Sequence, residues 1–278
     1  MLRRGIGSVR DTLLIVRRRF EMRPAVYPGL RRWWLFWTLV IALVALLCMV
    51  YLDPVAGQRW SQWPPTLTLV AGISTQLGLG KWYLLPELAW LLVASLIDWR
   101  RLPLRRRLAA YNRTTLCWFI FAAVALSGVA VNVFKVTVGR ARPLHFAELG
   151  MFSFHPGAVS AQFASFPSGH ATTIGAVAGV LVLLFPRSKV VVLPLSFWLA
   201  STRIFVGAHY PSDTVVGYGL GFGVAVLTAL VFARLGFLFR QTDGLPVLRR
   251  TVRHGGRRRA DEGLPVRRPP EPILPDRG

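Results

Sequence analysis

Lys135 and Arg142 lie seven residues apart, two helical turns along one face, so both cations can address one anion. Pro143 then discourages the helix from continuing. Further along, Phe166-Pro167-Ser168-Gly169-His170 stands just ahead of an apolar run. A Ser-Gly step that opens a helix supplies an N-cap and free backbone N–H groups, a combination that binds phosphate. His170 sits at the rim of that anion site, where an imidazole can serve as general acid or base. The third cluster is Thr202-Arg203 followed by His209 and Asp213. Arginine near the end of a short apolar segment is costly unless it meets an anion, and its fork of donors suits a phosphoryl group. His209 and Asp213 are four residues apart around Pro211 and Ser212, so the carboxylate can accept from one ring nitrogen and leave the other free to attack. Each cluster alone has a plainer reading: interfacial anchors for the first, a structural histidine for the second, and a helix-capping Asp beside an unrelated His for the third.

The elements that must hold these groups are apolar. The chain has 278 residues, 34 Lys and Arg against 12 Asp and Glu, a net charge of +22, and 53% hydrophobic residues. That pairing excludes an ordinary soluble domain, a disordered basic protein and a nucleic-acid binder, and it is the pattern of a polytopic membrane protein. Apolar runs at 33–51, 82–97, 114–134, 171–185, 190–206 and 215–233 predict an all-α fold of six transmembrane helices. Residues 67–79, interrupted by glycine and small polar residues, read as an interfacial or re-entrant piece. Under this layout 28 of the 34 basic residues fall on one side, which is then cytoplasmic together with both termini. Only Arg59, Lys81, Lys135, Arg140, Arg142 and Arg203 are left for the opposite side, and there basic residues need a special reason. Asp53, Trp60 and Trp63 read as an outer loop with interfacial aromatics, and Arg140 as a neighbour of the anion site or an interfacial anchor.

The predicted organisation is a basic cytoplasmic segment at 1–32, a six-helix membrane domain at 33–240 and a disordered basic cytoplasmic tail at 241–278. The short apolar stretch at 13–16, closed at once by Arg17, Arg18 and Arg19, does not have the form of a cleavable signal. Cys48 and Cys117 lie inside apolar runs and read as packed small hydrophobes. Gly175 with Gly179, and the series Gly217, Gly219, Gly221 and Gly223, set small residues at spacings that let helix backbones approach closely in lipid. The loop at 144–166, with His145, Glu148 and His155 among phenylalanines and small residues, reads as a lid or lateral wall beside a lipid.

Together the three clusters resemble the type 2 phosphatidic acid phosphatase family, whose pattern is K-x6-RP, then PSGH, then SR-x5-H-x3-D. The match is at Lys135, Arg142, Pro143, Pro167, Ser168, Gly169, His170, Arg203, His209 and Asp213, and the one departure is Thr202 in place of the usual serine, which keeps the hydroxyl. The resemblance implies a metal-independent membrane phosphatase with a phosphohistidine intermediate, related to vanadium haloperoxidases, that needs no cofactor. By position it makes His209 the nucleophile, Asp213 its orienting carboxylate and His170 the acid that protonates the leaving oxygen. Lys135, Arg142, Arg203, Ser168 and Gly169 would hold the phosphoryl oxygens. A site at the mouth of helical spans suits a lipid whose tail stays in the bilayer: an isoprenyl diphosphate, phosphatidate or phosphatidylglycerophosphate, or lipid A. A phosphotransferase that hands the phosphoryl group to another lipid would use the same histidine, and a non-catalytic transporter or scaffold is the reading from a different class. The excess of 31 arginines over three lysines suggests a GC-rich bacterial genome, which would put the site on the periplasmic side of the inner membrane. Nothing in the sequence specifies an oligomeric state.

Overall fold

Pro54 has no N–H to donate, and just ahead of it the helical ladder widens. Helix α1 (Pro28–Leu47) therefore passes through a π turn at Cys48–Leu52 into α2 (Asp53–Arg59). This computed structural model describes residues 28–242 and 244–249. Most of the expected basic N-terminal segment, and the tail from residue 250, lie outside the described residues. The interfacial piece expected at 67–79 is α3 (Pro65–Ser74) with a 3-10 turn at Thr75–Gly78. After it come α4 (Lys81–Leu96), the long α5 (Leu104–Val138), the short α6 (Phe146–Leu149), α7 (Gly169–Leu184), α8 (Lys189–Phe205) and α9 (Pro211–Leu235).

A helix stands at each of the six apolar runs. Among the described residues four helical stretches are long and apolar enough to cross a membrane: Arg31–Gln62, Leu104–Val138, Pro186–Phe205 and Pro211–Leu235. Gly169–Leu184 is a shorter apolar helix. Leucines and valines such as Leu39, Leu43, Leu92, Val129 and Val190 are exposed on the outside of the bundle, the surface that lipid chains would cover.

Helix α7 lies in the middle, against α5, α8 and α9. It contacts α9 almost backbone to backbone. A Cβ on Gly221 would lie 1.9 Å from the Thr172 carbonyl oxygen, and one on Gly175 would lie 2.1 Å from that of Tyr218. The alternate glycines of α9 face another way, with Gly219 under Ile41 and Gly223 under Trp34 of α1. The glycine series thus serves two interfaces, α7 on one side and α1 on the other. Cys48 and Cys117 are free and buried, as their apolar surroundings predict.

The expected boundary at 240 needs correction. Leu238 and Phe239 are buried, the Phe239 ring packs 4.9 Å from that of Phe119 on α5, and the chain folds back as an antiparallel hairpin, β1 (Phe239–Thr242) with β2 (Leu245–Leu248). Two apolar residues placed directly after α9 anchor what composition alone assigned to a tail. With an isolated bridge between Arg140 and Phe154, this hairpin is the departure from an all-α fold among the described residues.

The α7–α9 contact can be tested. Gly221→Val should lower the melting temperature in detergent, or block folding, through an overpacking cost of about 1–3 kcal/mol or more. Gly72→Ala, where the added methyl would have nothing within 4 Å, should melt at or slightly above the wild-type temperature.

Candidate active site

Four helix ends meet at one end of the bundle: the C-termini of α5 and α8 and the N-termini of α7 and α9. Gly139 stops α5 in the left-handed conformation, at φ 60°, and donates to the Lys135 carbonyl at 2.9 Å. A side chain there would collide with the His155 carbonyl, so glycine lets the returning loop cross close over the helix end. That loop is tied to the residues just after α5. Ala141 N donates to Ser153 O, Arg142 N to Gln162 O, and Ser165 N to Arg140 O. The segment read as a lid is thus hydrogen-bonded directly to the stretch that carries the cations. Within it, Ser153 Oγ meets His155 Nε2 at 3.1 Å, and the His155 ring packs 4.1 Å from that of Phe163.

Residues of the three motifs stand at this end of the bundle. Lys135 Nζ donates to Ala164 O at 2.7 Å, and a methyl on Gly169 would lie 4.0 Å from that ammonium, so Lys135 faces the first turn of α7. Ser168 is fully buried. Its Oγ accepts from Ala171 N at 3.4 Å as the N-cap of α7, and its N–H donates to Asp213 O at 3.0 Å, fastening the second motif to the third. Arg203 Nη1 reaches Thr75 Oγ1 at 3.4 Å. Arg142 Nε and Arg203 Nε are buried with no acceptor. His170 lies against the 3-10 turn before α4, where a methyl on Gly78 would come 2.9 Å from its ring.

His209 is 2% exposed, and its Nδ1 meets the Ser165 carbonyl oxygen at 2.7 Å. A carbonyl only accepts, so Nδ1 must carry a proton, and in the neutral ring Nε2 then keeps its lone pair. The expected direct bond from Asp213 to this ring is not what forms, and the reason is local. Asp213 sits in the first turn of α9, where Oδ2 folds back to accept from Tyr210 N at 3.0 Å and from Ser165 Oγ at 2.5 Å, while Oδ1 takes Arg140 Nη1 at 2.6 Å. The carboxylate reaches His209 only through Ser165, whose hydroxyl it holds and whose carbonyl holds the ring.

Two further expectations are corrected here. Arg140 is no interfacial anchor. It is fully buried, with Nη2 on Asp53 Oδ2 at 2.8 Å, Nη1 also on Ser212 Oγ at 2.8 Å, Nε on Met151 O at 3.1 Å, and its guanidinium 4.2 Å from the Tyr210 ring. Asp53, read as part of an outer loop, is equally buried at the start of α2. Trp60 and Trp63, read with it, pack inward instead, Trp60 over Gly207 and Trp63 edge-on to Phe205 at 5.4 Å. Sequence reasoning also passed over Ser165, Ser212, Thr75 and Gly78. The available signal was an acid and an arginine, Asp53 and Arg140, both on the side where charge is scarce.

Burial and the like charges of Lys135, Arg203 and Arg142 hold the His209 imidazole well below its ordinary pKa, against the opposing pull of the Ser165 carbonyl. Burial lowers Arg142 as well, with Asp213 working against it. For Arg140 burial also disfavours charge, but Asp213 and Asp53 outweigh it. The result is a neutral imidazole with a free Nε2 beside three cations, an arrangement that can receive a phosphoryl group. Among the described residues no three His, Cys, Asp or Glu side chains stand together as a metal site.

Comparison with known proteins bears on the family. The sequence model of the PAP2 superfamily matches residues 116–237. The chain is 48% identical over 136 residues to a lipid A 1-phosphatase of Rhizobium johnstonii, covering 49% of this chain and 56% of that protein. It is 48% identical over 133 residues to a lipid A 1-phosphatase of Rhizobium etli, covering 48% and 57%. This chain thus spans little more than half the length of those two relatives. A decaprenylphosphoryl-5-phosphoribose phosphatase of Mycobacterium tuberculosis is 35% identical over 143 residues, 50% of this chain and 70% of that protein. A crystal structure of a transmembrane PAP2 type phosphatidylglycerolphosphate phosphatase from Bacillus subtilis aligns with a TM-score of 0.44 and 18% identity, over 68% of this chain and 92% of that one. With helices long enough to cross a bilayer, a match to the PAP2 model and 35% identity to a phosphatase of which it covers 70%, the chain is an integral membrane protein that belongs to the PAP2 superfamily.

Proposed function

We propose that this protein is a metal-independent lipid phosphatase that works through a phosphohistidine at His209. The observation that carries the reading is the pairing of His209 Nδ1 with the Ser165 carbonyl, which leaves Nε2 as the available nucleophile next to Lys135, Arg142 and Arg203. The buried Nε atoms of Arg142 and Arg203 support it. A buried donor without an acceptor costs about 1–3 kcal/mol, more when charged, and phosphoryl oxygens would offset that cost.

In the first step Nε2 of His209 attacks phosphorus, the bond from phosphorus to the lipid oxygen breaks, and His170 gives its proton to that oxygen. The protein is left with a phosphohistidine and releases the dephosphorylated lipid. In the second step His170 takes a proton from water as the water oxygen attacks phosphorus, and inorganic phosphate leaves with His209 restored. Lys135, Arg142 and Arg203, with Ser168 and the Gly169 N–H at the start of α7, hold the oxygens on which charge is concentrated. Asp213 orients His209 through Ser165. Three fixed cations supply the electrostatics that divalent ions supply in metal-dependent phosphatases, so no cofactor enters the scheme.

For the substrate, lipid A carrying a 1-phosphate comes first, supported by the 48% identity to the two lipid A 1-phosphatases. Isoprenyl diphosphate, phosphatidate and phosphatidylglycerophosphate are the alternatives the same site chemistry would accept. The layout that accompanies this reading is six crossing helices with both termini in the cytoplasm and the site on the periplasmic face of a bacterial inner membrane. The strong bias of basic residues to one side supports it.

Purified protein in detergent with EDTA should release phosphate from one or more of these four lipids, and His209→Ala should cut that rate about a thousand-fold or more while folding normally. Residual turnover close to wild type would remove His209 as nucleophile, and dependence on added magnesium would remove the metal-independent scheme. Vanadate should inhibit as a trigonal-bipyramidal mimic of the transition state. Because the His209 pKa is lowered in the unliganded site, its ring should remain neutral at about pH 6, where an ordinary imidazole is mostly protonated. Histidine-selective NMR of the free protein, titrated downward from neutral pH, reads this directly.

A further inference from the structure

Asp53 lies outside the segment matched by the superfamily, residues 116–237, and outside all three motifs. It is fully buried, and both of its oxygens are spoken for. Oδ1 accepts from Ser212 N at 3.0 Å, and Oδ2 accepts from Ser212 Oγ at 2.5 Å and from Arg140 Nη2 at 2.8 Å. Ser212 lies in the first turn of α9, where backbone N–H groups have no partner within the helix, so a carboxylate from α2 caps a helix that belongs to a distant part of the chain.

From these contacts we infer that Asp53 is a positioning residue for His209. A continuous run of buried hydrogen bonds joins them. Asp53 fixes Arg140 at Nη2, Arg140 Nη1 holds Asp213 Oδ1, Asp213 Oδ2 holds the Ser165 hydroxyl, and the Ser165 carbonyl holds His209 Nδ1. Arg140 also accepts the Ser165 N–H on its own carbonyl, so Ser165 is gripped at both its hydroxyl and its amide while its carbonyl points at the imidazole. The guanidinium has no solvent to turn to. Without the Asp53 charge, the buried guanidinium would keep one carboxylate partner instead of two, and the group could swing about Nε to share Asp213 between both of its ends. That displacement would pass to Ser165 and tilt the ring whose Nε2 must lie in line with phosphorus. Lys135, Arg142 and Arg203, which hold the phosphoryl oxygens, have no bond to Asp53, so the effect falls on alignment and not on substrate capture.

The inference rests on the phosphatase reading only for its kinetic part. Asp53→Asn keeps the size of the side chain and removes its charge. With the lipid that wild type hydrolyses, this variant should lose about ten-fold in kcat, the low end of the range for partners directly behind a reacting group because four hydrogen bonds separate Asp53 from the ring, with KM changed less than about three-fold. Ser212→Ala, which removes one bond to Asp53 and one to Arg140, should shift kcat the same way by a smaller factor, and it carries the test if Asp53→Asn does not fold. In parallel, NMR of histidine-labelled full-length protein should show the His209 Nδ1 proton, assigned by its loss in His209→Ala, and Asp53→Asn should shift or broaden it. A folded Asp53→Asn with unchanged kcat and an unchanged His209 signal overturns the assignment and leaves a structural staple between α2 and α9. So does a loss confined to KM. If wild type hydrolyses no lipid, the phosphatase reading falls, while the His209 signal still decides whether Asp53 positions the ring.

Discussion

A guanidinium with no solvent contact has to find acceptors for its N–H groups within the protein, and Arg140 places four of its five on two carboxylates, a hydroxyl and a carbonyl. The acceptors come from three places in the chain: Asp53 at the start of α2, Met151 just after α6, and Ser212 with Asp213 at the start of α9. The elements that build the site are therefore assembled around one cation. Removing one partner of a buried ion pair typically costs about 3–5 kcal/mol because the other charge is left unpaired. Arg140 has two such partners, so its neighbours cannot drift independently. The network also separates two kinds of positive charge. Arg140 is neutralised and structural, whereas Arg142 and Arg203 keep buried N–H groups unspent.

The bundle below serves this assembly with little polarity of its own. Glycine on α9 brings its backbone against α7 on one side and against side chains of α1 on the other. That closeness is what allows the Ser168 amide to reach the Asp213 carbonyl, and so ties the loop that opens α7 to the turn that opens α9. At the far end of the bundle, Phe119, Val180, Ala229 and Phe239 make an apolar cluster closed by the hairpin. Polar groups concentrate at one end and apolar packing at the other, an arrangement suited to a site that meets lipid head groups while its walls meet lipid tails.

The candidate site residues were readable because their spacing is short-range. Seven residues on a helix, or a Ser-Gly step before one, define a face or a cap without knowledge of the rest of the fold, and the structure brings Lys135, Arg142, Ser168, Gly169, His170, Arg203, His209 and Asp213 to one end of the bundle. The partner of His209 was not readable. Four-residue spacing made Asp213 the natural acceptor, but the capping demand of α9 and the pull of Arg140 turn that carboxylate away, and a backbone carbonyl, which no side-chain motif can announce, takes its place. Long-range pairs were equally hidden: Asp53 and Arg140 are 87 residues apart, and Ser165 and Asp213 are 48 apart. Helix positions followed hydropathy, whereas the hairpin did not, since its anchoring depends on where two apolar residues land after α9 and not on the composition of the segment.

Helices α7 and α9 lie side by side with both N-termini at the site, and this parallel arrangement has an electrical cost. Antiparallel neighbours cancel each other's dipoles, but here two positive ends, each equivalent to about half a charge, point at the same small volume. Asp53 and Asp213 absorb the end of α9. Nothing among the described side chains answers the end of α7 beyond the hydroxyl of Ser168, so the field there is left for whatever anion arrives. Such a field acts on a free inorganic phosphate as well as on a phosphorylated lipid. In the proposed cycle, ejection of the small anion after the second step becomes the uphill stage, and the concentration of phosphate around the membrane sets how often the site is free to turn over.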